Sequence, residues 1–182
     1  MLVAAGIPVE THAADINERE AERAQGEQAE AGDIALFLAR EKARAVSMRL
    51  PGRLVIGADQ TLALDRLRFS KPADTDAARA QLKMLRGKTH KLHSAVALMQ
   101  DGEVLFQHHD AARLVMRDFT DKFLEDYLEA AGQSVTESVG GYQLERIGIH
   151  LFADVNGDHF TILGMPLVPV LDALRRLGYL AE

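Results

Sequence analysis

The chain contains no cysteine, which rules out a disulfide framework, thiolate metal sites and a thiol nucleophile. Any chemistry must come from carboxylates, lysines, hydroxyls or a metal. Tryptophan is also absent and aromatics make up only 5% of the residues, so platforms for stacking nucleic-acid bases are few. Positive charge is in deficit: 21 Lys+Arg face 27 Asp+Glu, a formal net charge of -6. A polyanion such as duplex DNA or an anionic membrane is repelled by that field, so a nucleic-acid or membrane partner is not expected and a phosphate ligand needs a local cation cluster. No window approaches the run of about 18 apolar residues that spans a bilayer. The start "MLVAAGIPVE" has neither a basic n-region nor a signal h-region, which makes the cytoplasm the default location.

What the chain does have is apolar content of 47% over 182 residues, enough for one sizeable core and a single domain spanning residues 1–182. From Asn17 to Gly32 the residues are charged and small, a pattern for a solvated loop or exposed helical turn. Ile34, Phe37, Leu38, Ala45 and Met48 then recur at helical spacing behind Asp33, a candidate cap, with Lys42 at the margin of the apolar face. "LVIGA" predicts a strand from Leu54 to Ala58 covered on both faces, as in a parallel or mixed sheet. Asp74 or Thr75 caps a helix carrying Ala78, Leu82 and Leu85, and Thr120 caps another closed by Gly132. Asp101-Gly102 signals a hairpin, with "AARLVMRDF" as a further strand. Asn156-Gly157 predicts a second hairpin with "HFTILG" as its return strand, and a final helix follows Pro166. Strands interspersed with helices and hairpins give an α/β or α+β class with a mixed sheet.

Among polar residues, Asp59 comes first, because open α/β sheets place ligands beyond the carboxyl ends of strands and Asp59 sits where the predicted strand runs out. A turn cap is the simpler alternative. Lys71 in "SKP", Glu18 in "NER" and Lys42 in "REKA" are each ordinary surface residues when taken singly. The Gly140-Gly141 pair before Tyr142 permits close backbone approach to a ligand, with Glu145 just beyond, or else simply turns the chain. His90, His93, His108, His109, His150 and His159 are scattered over predicted strands and do not read as a metal site.

Together, "AGIPVE", "LAREKA", "VIGADQ", "SKP", "LRGKTH", "GGYQLE" and "NGDHFTILGMPL" closely resemble, in order, the Maf family of nucleoside triphosphate pyrophosphatases. The resemblance runs over essentially the whole chain. It implies a mixed α+β fold like that of inosine triphosphate pyrophosphatases: a twisted sheet, flanking helices and two lobes around a cleft. It also implies a hydrolase that needs a divalent cation, Mg²⁺ or Mn²⁺, and converts a nucleoside triphosphate and water to the monophosphate and pyrophosphate. By the same resemblance Asp59 is the catalytic acidic residue, Glu18 a second acidic cleft residue able with Asp59 to hold the metal, and Lys42 and Lys71 bind phosphate. A homodimer is a further implication. A rival role, regulation of septum formation with little catalysis, also attaches to this family.

The family normally opens with a strand and a serine- and arginine-rich phosphate segment, whereas this sequence starts at Met1-Leu2-Val3-Ala4-Ala5-Gly6. The expectation is that the natural chain begins upstream, with about ten or more residues missing here. Gln60 and Glu145 resemble the family branch linked to 7-methyl-GTP rather than the branch acting on dTTP and UTP. A carboxylate only accepts hydrogen bonds and suits the adjacent N1–H and N2–H₂ donors of guanine, so a guanine-type base is expected.

Overall fold

The computed structural model describes residues 1–26 and 28–181. Glu27, inside the acidic segment discussed above, and Glu182 lie outside the described residues. The sheet has five strands in the order β2-β1-β3-β4-β5: β1 (Val55–Leu64), β2 (Leu67–Phe69), β3 (Thr89–Gln100), β4 (Glu103–Met116) and β5 (Phe152–Asn156). Among the described residues there are six α-helices: α1 (Glu18–Ala24) and α2 (Ala31–Ser47) before the sheet, α3 (Thr75–Leu85) and α4 (Asp121–Ala131) between strands, and α5 (His159–Ile162) and α6 (Leu167–Arg176) after it. Among the described residues no helix is long and apolar enough to cross a membrane.

The α+β class with flanking helices stands, while every strand pairing among the described residues is antiparallel. The double-sided burial that suggested parallel strands has another origin. Ala95, Ala97 and Met99 of β3 pack on one face against Ala35, Ala39, Ala43 and Val46 of α2. Val96 and Leu98 pack on the other face against Val170, Ala173 and Leu174 of α6. Alternation along a strand sends neighbours to opposite faces, so a helix on each face makes a continuous apolar run in an antiparallel sheet too.

The Asp101-Gly102 turn joins β3 to β4 with φ of 52° and 81°, the left-handed pair a tight hairpin needs. "AARLVMRDF" is no separate strand: its first six residues are the far end of β4, which stops at Met116. α2 begins at Ala31, ahead of the expected Asp33 cap. Most of the acidic segment's start is helical: Asn17 caps α1 by accepting from the Glu20 N–H. The expected second hairpin does not form. Asp158 Oδ1 accepts from the Thr161 N–H at 2.9 Å and caps α5, so "HFTI" is a turn of helix instead of a return strand. β5 instead pairs with β4 through Phe152–Asn156.

Candidate functional site

β1 is longer than predicted, Val55–Leu64, so Asp59 lies mid-strand and not at a strand end. β3 pairs along one side of β1 from Val55 to Ala63, whereas β2 covers only Leu62–Leu64 on the other. Asp59 and Gln60, which as neighbours face opposite sides of the sheet, both line one cleft of about 410 Å³. That volume falls in the ordinary range of small-molecule sites.

Three elements bring charges to it. Gly57, two residues before Asp59 on the same face, has no side chain between β1 and α2: a Cβ there would stand 2.2 Å from the Ala39 carbonyl oxygen and 2.6 Å from the Ala43 nitrogen. Helix and strand are thus in backbone contact. Lys42, beside that contact on α2, donates from Nζ to Asp59 Oδ1 at 2.6 Å. Its second carboxylate partner is Glu18 Oε1 of α1 at 2.8 Å. Lys71, exposed just after β2, lines the same cleft, as do Arg19 and Glu22 of α1 and Glu137 and Ser138 near the Gly-Gly turn. Glu18 and Glu22 stand four apart on one helix face, a spacing that was open to sequence inspection. Glu137 carried no comparable signal.

Asp59 is 9% exposed, and burial pushes its carboxyl above the ordinary range against the pull of the Lys42 ammonium. Burial acts in the opposite sense on Lys42, disfavouring its charge, but Asp59 and Glu18 outweigh it and hold the ammonium's pKa above its ordinary value. Lys42 is thus a fixed cation between two carboxylates. Asp59 Oδ2 is buried with no hydrogen-bond partner among the described residues. That oxygen and the half-exposed Glu18 carboxylate form a hard-oxygen donor pair, the kind Mg²⁺ or Mn²⁺ takes when phosphates and water complete the shell. No cluster of three or more His, Cys, Asp or Glu side chains suited to a metal is found among the described residues.

The Maf-like protein family pattern matches residues 1–177 of this chain. The chain belongs to the Maf family. Among similar proteins, the nucleoside triphosphate pyrophosphatase of Rhodopseudomonas palustris strain BisB18 is 54% identical over 181 residues, covering 100% of this chain and 89% of that protein. The protein of the same description from Bradyrhizobium diazoefficiens is 51% identical, covering 96% of this chain and 86% of its own length. Its counterpart in Paramagnetospirillum magneticum is 48% identical, covering 99% and 93%.

In this Maf chain four of the residues singled out in the sequence, Glu18, Lys42, Asp59 and Lys71, surround one cleft together with Gln60. Glu145 is not brought there. It is exposed on the turn between the Gly-Gly segment and the 3-10 helix Ile147–Leu151, and it is not among the residues lining the cleft. Glu137 occupies the cleft wall instead and accepts at Oε2 from Gln143 Nε2 at 3.2 Å. The Gly-Gly pair serves packing: Gly140 has φ of 80°, and a Cβ on it would stand 2.6 Å from Leu62 Cδ1.

Proposed function

We propose that the cleft hydrolyses the α–β anhydride bond of nucleoside triphosphates, releasing the monophosphate and pyrophosphate. The observation that carries this reading is Lys42 held at 2.6 Å and 2.8 Å between Asp59 and Glu18, in a cleft that Lys71 also lines. The names and high identity of the relatives add independent support. Attack at the α-phosphorus builds negative charge on the equatorial oxygens and on departing pyrophosphate. Lys42, oriented in advance by its two carboxylates, and Lys71 supply positive charge there without reorganising water. Asp59, kept largely from solvent and with Oδ2 unsatisfied, is placed to orient or deprotonate an attacking water. Asp59 and Glu18 would hold a divalent cation, which when bound neutralises phosphate charge. The base preference we propose is guanine-type; Gln60 lines the cleft, whereas Glu145, whose carboxylate suggested that preference, is exposed and is not among the lining residues.

The experiment is a pyrophosphate-release assay on a nucleotide panel with Mg²⁺ or Mn²⁺. Asp59→Asn should lower kcat by about 100-fold or more, because the amide can neither take a proton nor carry charge. Chelation of the metal should suppress turnover reversibly. Release of inorganic phosphate in place of pyrophosphate, or an Asp59→Asn protein as fast as wild type, would overturn the assignment.

A further inference from the structure

Glu137 stands in the cleft wall with no part in the phosphate chemistry above. It ends the 3-10 helix Gly132–Thr136, where its N–H donates to the Ser134 carbonyl oxygen at 3.2 Å. The wall that carries it is braced from behind. Ser138 Oγ donates to the Tyr142 carbonyl oxygen at 2.6 Å, and the Tyr127 hydroxyl donates to the Gly141 carbonyl oxygen at 3.0 Å. Two residues beyond Gly141, the Gln143 backbone lies so near Gly148 that a Cβ on that glycine would stand 2.4 Å from the Gln143 carbonyl oxygen. A fixed backbone thus presents the Gln143 side chain to Glu137.

The Gln143 amide serves that carboxylate at the expense of its own oxygen. Nε2 donates to Glu137 Oε2 at 3.2 Å, and Oε1 is left buried with no hydrogen-bond partner among the described residues. Turning the amide over would set Oε1 against the carboxylate, acceptor to acceptor. A buried unpaired acceptor is unfavourable, and such a broken rule with no local gain points to a functional demand. The gain here is a carboxylate held in place at the cleft wall.

The group that meets Glu137 must be a donor. A carboxylate only accepts hydrogen bonds, and its charge repels phosphate oxygens. Nor is Glu137 a third ligand beside Asp59 and Glu18, because no group of three or more His, Cys, Asp or Glu side chains suited to a metal is found among the described residues. The ribose of a nucleotide offers two adjacent hydroxyl donors, and an acidic side chain on a ribose hydroxyl is a recurrent device of nucleotide recognition. Building on the nucleotide reading above, we propose that Glu137 is a specificity-determining residue for the sugar, accepting from the ribose hydroxyls, and that Gln143 is a positioning residue that holds its carboxylate. Every nucleoside triphosphate carries the sugar, so the contact acts alike on all bases. Hydrogen bonds to a charged group are among the strong ones, so loss of both hydroxyls should lower kcat/KM by about 10-fold or more.

The test compares GTP with its 2′-deoxy, 3′-deoxy and 2′,3′-dideoxy forms, and UTP with the same three, on the full chain. It reads kcat/KM for pyrophosphate release and calorimetric affinity for the α,β-methylene analogues. Wild type should favour the ribonucleotide over the dideoxy form by about 10-fold or more with either base. Glu137→Ala should bring the two forms close to equal, and Glu137→Gln, a neutral acceptor, should fall between. Gln143→Met removes the donor and the buried unpaired oxygen together. It should leave stability to urea unchanged or higher while KM for the ribonucleotide rises by more than kcat falls, which a residue serving only packing would not produce. Equal handling of ribose and dideoxyribose forms by wild type overturns the proposal. So does an unchanged sugar ratio in Glu137→Ala, or a change confined to one of the two bases. Sugar-selective analogue binding without pyrophosphate release would support this inference while sinking the hydrolytic reading, so the two fail separately.

Discussion

Asp59 shows how the chemistry of this site sets itself against stability. Its carboxyl titrates above the ordinary value of 3.8 in the folded chain, chiefly because burial disfavours the anion. A group whose folded pKa is raised stabilises the fold fully below its unfolded pKa, and that contribution is lost as pH rises through the folded value. At neutral pH the ionised Asp59 is therefore a net cost to folding. Asp59→Asn should raise Tm at pH 7 relative to wild type, with the gain shrinking as pH falls toward 3.8, even as it lowers kcat by about 100-fold or more. Thermal melts of the two proteins across that range check the sign; a lower Tm for Asp59→Asn at pH 7 would mean that the Lys42 ion pair outweighs burial. The carboxylates and lysines of the cleft were legible from residue types, because a chain without cysteine leaves its chemistry to carboxylates, lysines, hydroxyls or a metal. The setting of Gln60 was not, since its Nε2 donates to two backbone carbonyls of α5, more than 100 positions away in sequence.

At the scale of elements, Gly57 decides whether α2 and β1 meet closely enough for Lys42 to reach Asp59. Within "LVIGADQ" it reads as one more small residue in an apolar run. The atoms a Cβ would strike are backbone, the Ala39 oxygen and the Ala43 nitrogen, and backbone cannot swing aside as a flexible side chain can. Gly57→Ala should force the helix off the strand, destabilising the fold toward the upper end of about 1–3 kcal/mol typical of overpacking. It should also stretch the Lys42–Asp59 contact, so kcat should fall more than the residual folded fraction explains. Denaturant unfolding together with activity per folded molecule checks both. A neutral effect on stability would show that α2 is not seated on β1 as closely as 2.2 Å implies.

Sequence signals succeeded for elements wherever a local device acts alone. The left-handed Asp101-Gly102 pair makes its hairpin, and Thr120 caps α4 by accepting from the Phe123 N–H. They failed where two local devices competed. Asn156-Gly157 is a good hairpin turn, yet Asp158 is a good helix cap, and the cap prevailed because α5 docks through Thr161 onto Ser94 and Asp110. The position of the cleft was hidden for a different reason. How far a strand runs is set by its pairing with a distant partner, here β3 along Val55–Ala63, so an aspartate in mid-strand looks in sequence like one at a strand end.

For the molecule as a whole, the pH dependence of stability runs opposite to that of Asp59 on the acid side. His90, on β3 and 1% exposed, pairs through Nε2 with the Tyr142 hydroxyl at 2.7 Å, tying the sheet to the chain after the Gly-Gly turn. Burial lowers its pKa from 6.5 to about 4. The folded chain binds this proton less readily than the unfolded one, so stability that is present above pH 6.5 is lost as pH falls toward about 4. The difference between those values corresponds to about 3 kcal/mol. His93 and His109, whose pKa values are lowered chiefly by burial, act in the same direction. His90→Gln removes the proton site while keeping a polar partner for Tyr142. It should lower stability at pH 8, where the neutral ring packs well, and flatten the fall between pH 6.5 and 4 by about 3 kcal/mol. Urea unfolding at a series of pH values measures both; parallel curves for the two proteins would mean that His90 takes up its proton in the folded state as readily as in water.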